Sequence, residues 1–328
     1  MRDLGFTHSM VPGFTGLIDD QGRWYTKDKE LIGGVPNLAT YTKVVMNPGT
    51  DPEAKWEFKA VKNDGSVAYG YTANFRREQS NAKYQKVADL MDKLPTIRKK
   101  WVQKIKNFDP ESKLAVCAVI LEVLYSYAAR IGSAPGRGAG TLLVKNTSIT
   151  QAGINLAYIG KDAIPTKHII RIADSPEHKF LVAALRQLIG DKKPSMPLYT
   201  YEARGKLFKV LPTDVNKAFR LFGAPEGVSV HKLRTCRGTT LFHHLAEKDA
   251  TRRLPKDEKE AMTRYKEMTE EVGKLLNHKR GVGSPSEKVT GTTAATSYID
   301  SSAQLALWAR WGFRPPVILE KLLRVGDE

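Results

Sequence analysis

Tyr298 stands in the run Thr-Ala-Ala-Thr-Ser-Tyr-Ile-Asp, and upstream of it come Arg130, Lys161, His231-x-x-Arg234 and His278. Cations in that order before one tyrosine fit the cleavage of a phosphodiester. A phosphoryl group passing through a pentacovalent transition state spreads negative charge over its non-bridging oxygens, and two guanidiniums and an imidazole aimed at them stabilise it. Tyrosine supplies the nucleophile. Its phenol, with a reference pKa of about 10, attacks at neutral pH only if nearby cations lower the cost of forming phenolate. The departing oxygen needs a proton donor, and a lysine is a candidate because crowding by cations or partial burial lowers its pKa.

Composition points to a polyanionic partner. Lys plus Arg number 52 against 35 for Asp plus Glu, which leaves a net charge of +17 and a pI near 9.7. Nucleic acid is the expected ligand, and its binding weakens with salt as counterions compete for the phosphates. A chain of 328 residues with 41% hydrophobic content suits two globular domains rather than disorder. It holds no run of eighteen apolar residues, and its first residues lack the apolar core of a secretion signal. A soluble intracellular protein is expected, with nucleoid, nuclear or viral compartments left open. Cys117 and Cys236 are too few for a disulfide framework and lack metal-ligand spacing, so no metal site is expected.

The elements that must position these residues divide near residues 92–100, giving an N-terminal domain over 1–95 and a second over 96–328. In the first, residues 43–46, 56–61 and 66–71 are β-prone and separated by Asn-Pro-Gly and Asn-Asp-Gly turn signals, so a small sheet is expected. Residues 79–94 have helical spacing. Tyr69, Tyr71, Arg76, Arg77 and Lys83 interleave aromatic and basic groups, a combination that holds phosphates and stacks on sugars or bases. The competing reading makes the aromatics core residues of the sheet.

In the second domain Asp109 is a candidate cap with Pro110 at the first helical position, and residues 114–130 read as a long apolar helix ending at Arg130. Residues 132–140 are glycine-rich but lack the Lys-Ser/Thr ending of a phosphate-binding P-loop, so they read as a flexible surface loop. Residues 141–146, 154–159 and 166–172 read as strands, with Lys161 at the turn between the last two. Ser175-Pro176-Glu177 and Thr213 read as helix starts. Residues 230–245 read as a helix carrying His231 and Arg234 on one side, since residues three apart face the same way. His243 and His244, being adjacent, make no metal pair. Met262, Tyr265, Met268, Val272 and Leu275 form an amphipathic stripe that delivers His278 at its end.

Taken together, the chain resembles the type IB DNA topoisomerases, especially their compact poxvirus and bacterial form. The resemblance rests on Val-Val-Met-Asn-Pro at 44–48, Ala-Tyr-Gly-Tyr at 68–71, Asn-Ala-Lys-Tyr at 81–84 and Leu-Pro-Thr-Ile-Arg at 94–98. It continues in Ala-Ala-Arg-Ile-Gly at 128–132, Tyr-Ile-Gly-Lys-Asp at 158–162, Lys-Leu-Arg-Thr at 232–235, Leu-Leu-Asn-His at 275–278 and Ser-Tyr-Ile-Asp at 297–300.

The resemblance implies an α+β clamp around duplex DNA, with a small β-rich N-terminal domain and a larger, mainly α-helical catalytic domain holding a three-stranded sheet. Tyr298 would form a 3′-phosphotyrosyl link and release a 5′-hydroxyl. Arg130 and Arg234 would hold the scissile phosphate, Lys161 would protonate the leaving oxygen, and His278 would donate to a non-bridging oxygen. It also implies relaxation of both signs of supercoil by a monomer without ATP, metal or other cofactor. Two departures stand out. Residues 279–289 read as an insertion between His278 and Tyr298, and His231 occupies a place where compact topoisomerases often carry lysine. Tyrosine recombinases share the H-x-x-R, so a site-specific recombinase is the enzymatic alternative, and a non-catalytic DNA-binding protein on the same fold is another.

Overall fold

The computed structural model describes residues 7–8, 17–18, 23–25, 41, 43–47, 55–160, 163–278, 291–316 and 319. These fall into two compact units, one within Met1–Lys83 and the other within Tyr84–Leu323. Small antiparallel sheets and helices make up both.

In the first unit, β1 (Thr7–His8), β2 (Leu17–Ile18) and β3 (Trp24–Tyr25) form a minimal antiparallel sheet. The sequence pattern did not signal it, since two-residue strands are too short for alternation to register. β4 (Lys43–Met46), β5 (Trp56–Val61) and β6 (Val67–Tyr71) form an antiparallel meander as the alternation predicts. Its turn is built by Asn63-Asp64-Gly65. The Asp64 carboxylate accepts from the Ser66 backbone at 2.9 Å, and Gly65 takes φ +78°, where a side chain would be strained. Val44, Phe58 and Ala60 fill the inner face. The Phe58 ring lies against Gly70 so closely that a Cβ there would come within 2.0 Å of it.

α1 (Ala73–Lys106) is one helix of 34 residues with Pro95 inside it. The junction expected between two helical stretches at 92–100 is therefore continuous helix. Proline in a helix interior costs about 3 kcal/mol. On either side of it Leu90, Leu94, Ile97 and Trp101 are buried on one stripe, and each buried side chain of this kind returns about 1.5–3 kcal/mol. Packing outweighs the local break.

α2 (Lys113–Ser126) starts three residues later than Asp109-Pro110 predicts: Ser112 is the cap, accepting from the Ala115 backbone, while Asp109 closes the preceding turn by accepting from the Glu111 N–H at 2.9 Å. This helix is buried nearly all round. It also ends before Arg130, because Ala128 adopts φ +45° and turns the chain out of the helix. A second sheet orders β7 (Thr147–Thr150), β8 (Gly153–Ile159) and β9 (Pro165–Arg171) antiparallel. The first strand lies after residues 141–146 rather than within them, since Val144–Asn146 forms a single 3-10 turn. α3 (His178–Ile189) follows Ser175-Pro176-Glu177 as expected.

β10 (Thr200–Ala203) and β11 (Lys206–Lys209) make a hairpin, and α4 (Pro212–Leu221), α5 (Lys232–Ala250) and α6 (Glu258–Leu275) complete the bulk of the unit. On α6 the stripe buries Tyr265, Met268 and Val272, but Met262 is exposed and Ala261 takes the inner place. α7 (Thr292–Ser297) and α8 (Ser301–Trp311) follow. Two cores result. One gathers α1 to α4 and the second sheet; the other gathers Phe242, Tyr265, Ala294, Tyr298, Ile299 and Trp308. Tyr298 is thus placed by a hydrophobic core.

Candidate phosphodiester-cleaving site

The backbone at Tyr298 is held from three sides. It follows the last residue of α7, with its N–H donating to Ala294 at 2.9 Å. On α5, Thr239 Oγ1 donates to the Tyr298 carbonyl at 3.3 Å, and Gly238 lies so near that a Cβ there would come 2.7 Å from that oxygen. On α8, the buried Gln304 amide donates to the carbonyls of Ala295 and Ile299 at 2.9 and 3.1 Å. The Tyr84 hydroxyl of α1 also donates to Ile299 at 2.8 Å. Four helices therefore fix one turn.

The side chain is surrounded by four of the residues that sequence order singled out. Arg130 Nη2 donates to the Tyr298 hydroxyl at 3.2 Å, and His231 Nε2 lies 3.4 Å from the same oxygen. The Arg234 guanidinium sits 5.2 Å from the Tyr298 ring centre, and the His278 ring 5.0 Å from it. His231 is the N-cap residue of α5 and Arg234 lies in its first turn, so the three-residue spacing aims both at one point. Arg234 is buried, donating to the carbonyls of Ala128 and Leu276, the latter at 2.8 Å. Burial first, and then the Arg130 charge, hold its guanidinium below the usual range. It remains a cation at neutral pH.

His278 is pushed down to about 4, chiefly by burial and then by Arg234 and Arg130. It is therefore neutral. Its Nε2 lies 3.5 Å from Arg234 Nη2, which can only donate, so the ring proton belongs on Nδ1. Among the described residues that Nδ1 is buried with no hydrogen-bond partner, and so is Arg234 Nε. Two buried nitrogens beside Tyr298 thus carry protons that no described group accepts.

Arg130, His231 and His278 also line a cleft of about 800 Å³. The stretch 132–140, expected to be a flexible surface loop, forms one wall of it. Ala139 and Gly140 donate to the carbonyls of Arg130 and Ile131 at 2.8 and 2.9 Å, and Gly132 and Gly138 touch through their backbones. Glycine serves close packing here, and the folded-back loop holds Arg130 extended towards Tyr298.

The cleft also contains residues that sequence reasoning passed over. The Tyr158 hydroxyl and His168 Nε2 share a hydrogen bond at 3.1 Å; burial pushes that phenol up to about 12 and, with Arg234, pushes the imidazole down to about 4. Asn277 joins the cleft at the end of α6. Tyr158 and Asn277 lie inside motifs already quoted for the resemblance, but nothing in their types marked them out. Lys161 lies outside the described residues, between the ends of β8 and β9.

In the first unit, Tyr69 and Tyr71 lie on the outer face of β6 rather than in its core. Tyr69 is 42% exposed, stacks on Tyr71 at 5.8 Å, and has Lys59 Nζ 5.9 Å from its ring. Arg76 and Arg77 are described in backbone only, within α1, and Lys83 is half-buried on the same helix. Among the described residues no cluster of His, Cys, Asp or Glu is arranged to hold a metal, and no helix is long and apolar enough to cross a membrane.

A tyrosine is thus enclosed by two arginines and two histidines on a mixed helical scaffold. Residues 72–305 match the family described as eukaryotic DNA topoisomerase I, catalytic core, a stretch that spans Arg130 through Tyr298. The match covers well over half of the chain, which belongs to that topoisomerase family. No individually curated protein matches it.

Proposed function

We propose that this protein is a type IB topoisomerase of the compact poxvirus and bacterial-like form, relaxing positive and negative supercoils in duplex DNA. Tyr298 Oη attacks the scissile phosphorus, the bond to the 5′ oxygen breaks, and the 3′ end is left on the tyrosine. Arg130 and Arg234 neutralise the non-bridging oxygens, His278 donates to one of them from Nδ1, and Lys161 gives a proton to the departing 5′ oxygen. The phenol proton passes to His231 when its Nε2 is bare, or to water. The free strand end then turns under torsion. Religation runs the same steps backwards, and because the phosphotyrosine retains the phosphodiester's bond energy, neither ATP nor a metal is needed.

The observation that carries this reading is the convergence of Arg130 and His231 on the Tyr298 hydroxyl, with Arg234 and His278 around its ring. The family membership supports it. Residues 44–71 precede the matched stretch, and their motifs, with the Tyr69, Tyr71, Arg76, Arg77 and Lys83 group as DNA contacts, support the compact form.

The test is relaxation of positively and negatively supercoiled plasmid in excess EDTA without ATP, with Tyr298→Phe alongside. Wild-type protein relaxes both, and the variant binds DNA but forms no covalent adduct. DNA binding without relaxation would turn the assignment towards a site-specific recombinase or a non-catalytic binder. Unchanged cleavage in His231→Ala would remove His231 from the proton path.

A further inference from the structure

α6 closes in a way that glycine usually serves. Asn277 follows the Leu276 cap with φ +52°, its N–H donates to Lys274 O at 3.0 Å, and the His278 N–H donates to Gly273 O at 2.9 Å. These two bonds form a Schellman closure, whose left-handed residue is most often glycine because a Cβ is strained there. Asparagine is the usual alternative to glycine there, and here its side chain makes a long-range contact as well: Asn277 Nδ2 donates to Thr166 Oγ1 at 2.9 Å, on β9.

Thr166 lies at the foot of the β8–β9 turn, one pair from the end of the ladder. It pairs directly with Tyr158, and its hydroxyl donates to Ile164 O at 3.2 Å. Gly160 donates to that same carbonyl at 2.8 Å, and a Cβ on Gly160 would stand 2.9 Å from Thr166 Oγ1. The hydroxyl is thus seated on the glycine that immediately precedes Lys161 in sequence. Gly160, Ile164, Thr166, Asn277 and His278 all line the one cleft.

We propose that Asn277 and Thr166 are positioning residues for the leaving-group step: one amide, fixed beside His278, holds the foot of the β8–β9 turn, within whose sequence Lys161 falls. The proposal rests on the reading of Lys161 as the acid. Proton transfer requires donor and acceptor within about 2.6–3.2 Å, and a misplacement of about 1 Å can cost on the order of 10²-fold. A turn untethered at its foot loses that placement, while the phosphate-binding arginines, which use other contacts, keep theirs.

The experiment compares single-turnover cleavage of a DNA with an ordinary 5′ oxygen at the scissile bond and one with a bridging 5′ sulfur, using the full chain. A thiol, with a reference pKa of about 8.5, leaves as thiolate without a proton, whereas an alcohol does not. Asn277→Gly keeps the closure and removes the amide; Thr166→Val removes the hydroxyl. Both are expected to cleave the oxygen substrate roughly ten- to a hundred-fold more slowly and the sulfur substrate at the wild-type rate. Thr166→Ser restores the rate lost in Thr166→Val. Slowing of Asn277→Gly on both substrates, or on neither, overturns the proposal whatever Lys161 does. Lys161→Ala run in parallel separates the two readings: slowing on both substrates there, with Asn277→Gly still rescued by sulfur, means that the acid is misassigned while the tether serves the leaving group.

Discussion

Arg130 and Tyr298 stand 168 positions apart in sequence, and the guanidinium of one donates to the hydroxyl of the other at 3.2 Å. On the proposed reading, a guanidinium in direct contact with that oxygen can follow the charge onto the phosphate as the bond forms. Arg130→Ala should slow formation of the covalent adduct by about 10²-fold or more, with DNA affinity at fixed salt nearly unchanged. Single-turnover adduct formation and filter binding on the same samples decide this. A loss confined to affinity would make Arg130 an ordinary phosphate contact.

Gly238 provides a way to move the tyrosine without touching its chemistry. A Cβ there would lie 2.7 Å from the Tyr298 carbonyl oxygen, so Gly238→Ala must shift the turn that aims the phenol. Alanine otherwise favours a helix by about 1 kcal/mol over glycine, which guards the fold. Cleavage should fall by at least about ten-fold while the melting temperature changes little. Wild-type cleavage in this variant would show that the turn has slack.

Asp249 is a buried carboxylate serving several donors. It accepts from Arg264 at 3.2 Å, Arg310 at 2.8 Å and the Trp311 indole at 3.0 Å, joining α5, α6 and α8 around the tyrosine's core. Asp249→Ala leaves the Trp311 indole and one Arg264 donor without this acceptor, although Arg264 keeps Glu260 at 2.6 Å, and losing a buried acceptor of this kind costs on the order of 1–3 kcal/mol. Chemical denaturation should record that loss. A loss below about 1 kcal/mol, the range of an exposed ion pair, would mean that solvent reaches the cluster.

Two histidines make the folded chain acid-sensitive. Burial first, with Arg234 next, pushes His168 and His278 from 6.5 to about 4. Between those values the unfolded chain takes up protons that the folded chain refuses, so stability is full above about pH 6.5 and falls as pH drops towards 4. Each histidine contributes a slope of up to about 1.4 kcal/mol per pH unit in that window. Denaturation of DNA-free protein at pH 7, 6 and 5 should follow it, and His168→Gln should lessen the slope. An identical slope in the variant would place the sensitivity elsewhere.

Much of the candidate site was legible in the sequence: Arg130, His231, Arg234, His278 and Tyr298 could be named from their residue types and from the motifs of the resemblance, and the structure brings these five together. The β4–β6 meander was legible from β-prone segments and turn residues, and α3 and α4 from their helix-start signals. Local signals misled where packing overrode them. Pro95 marked a break, yet the buried stripe from Leu90 to Trp101 carries the helix through it. Apolar residues ran on to Arg130, yet Ala128 leaves the helix. The glycines at 132–140 suggested mobility, yet they allow close backbone packing. What only tertiary structure decided is which groups meet: the Arg130–Tyr298 contact, the neutral His278, Gln304 beneath the tyrosine's turn, and the Asn277–Thr166 tether. Residue type sets what a group can donate or accept, but burial and the partners it finds across more than a hundred positions exist only once the cores have closed.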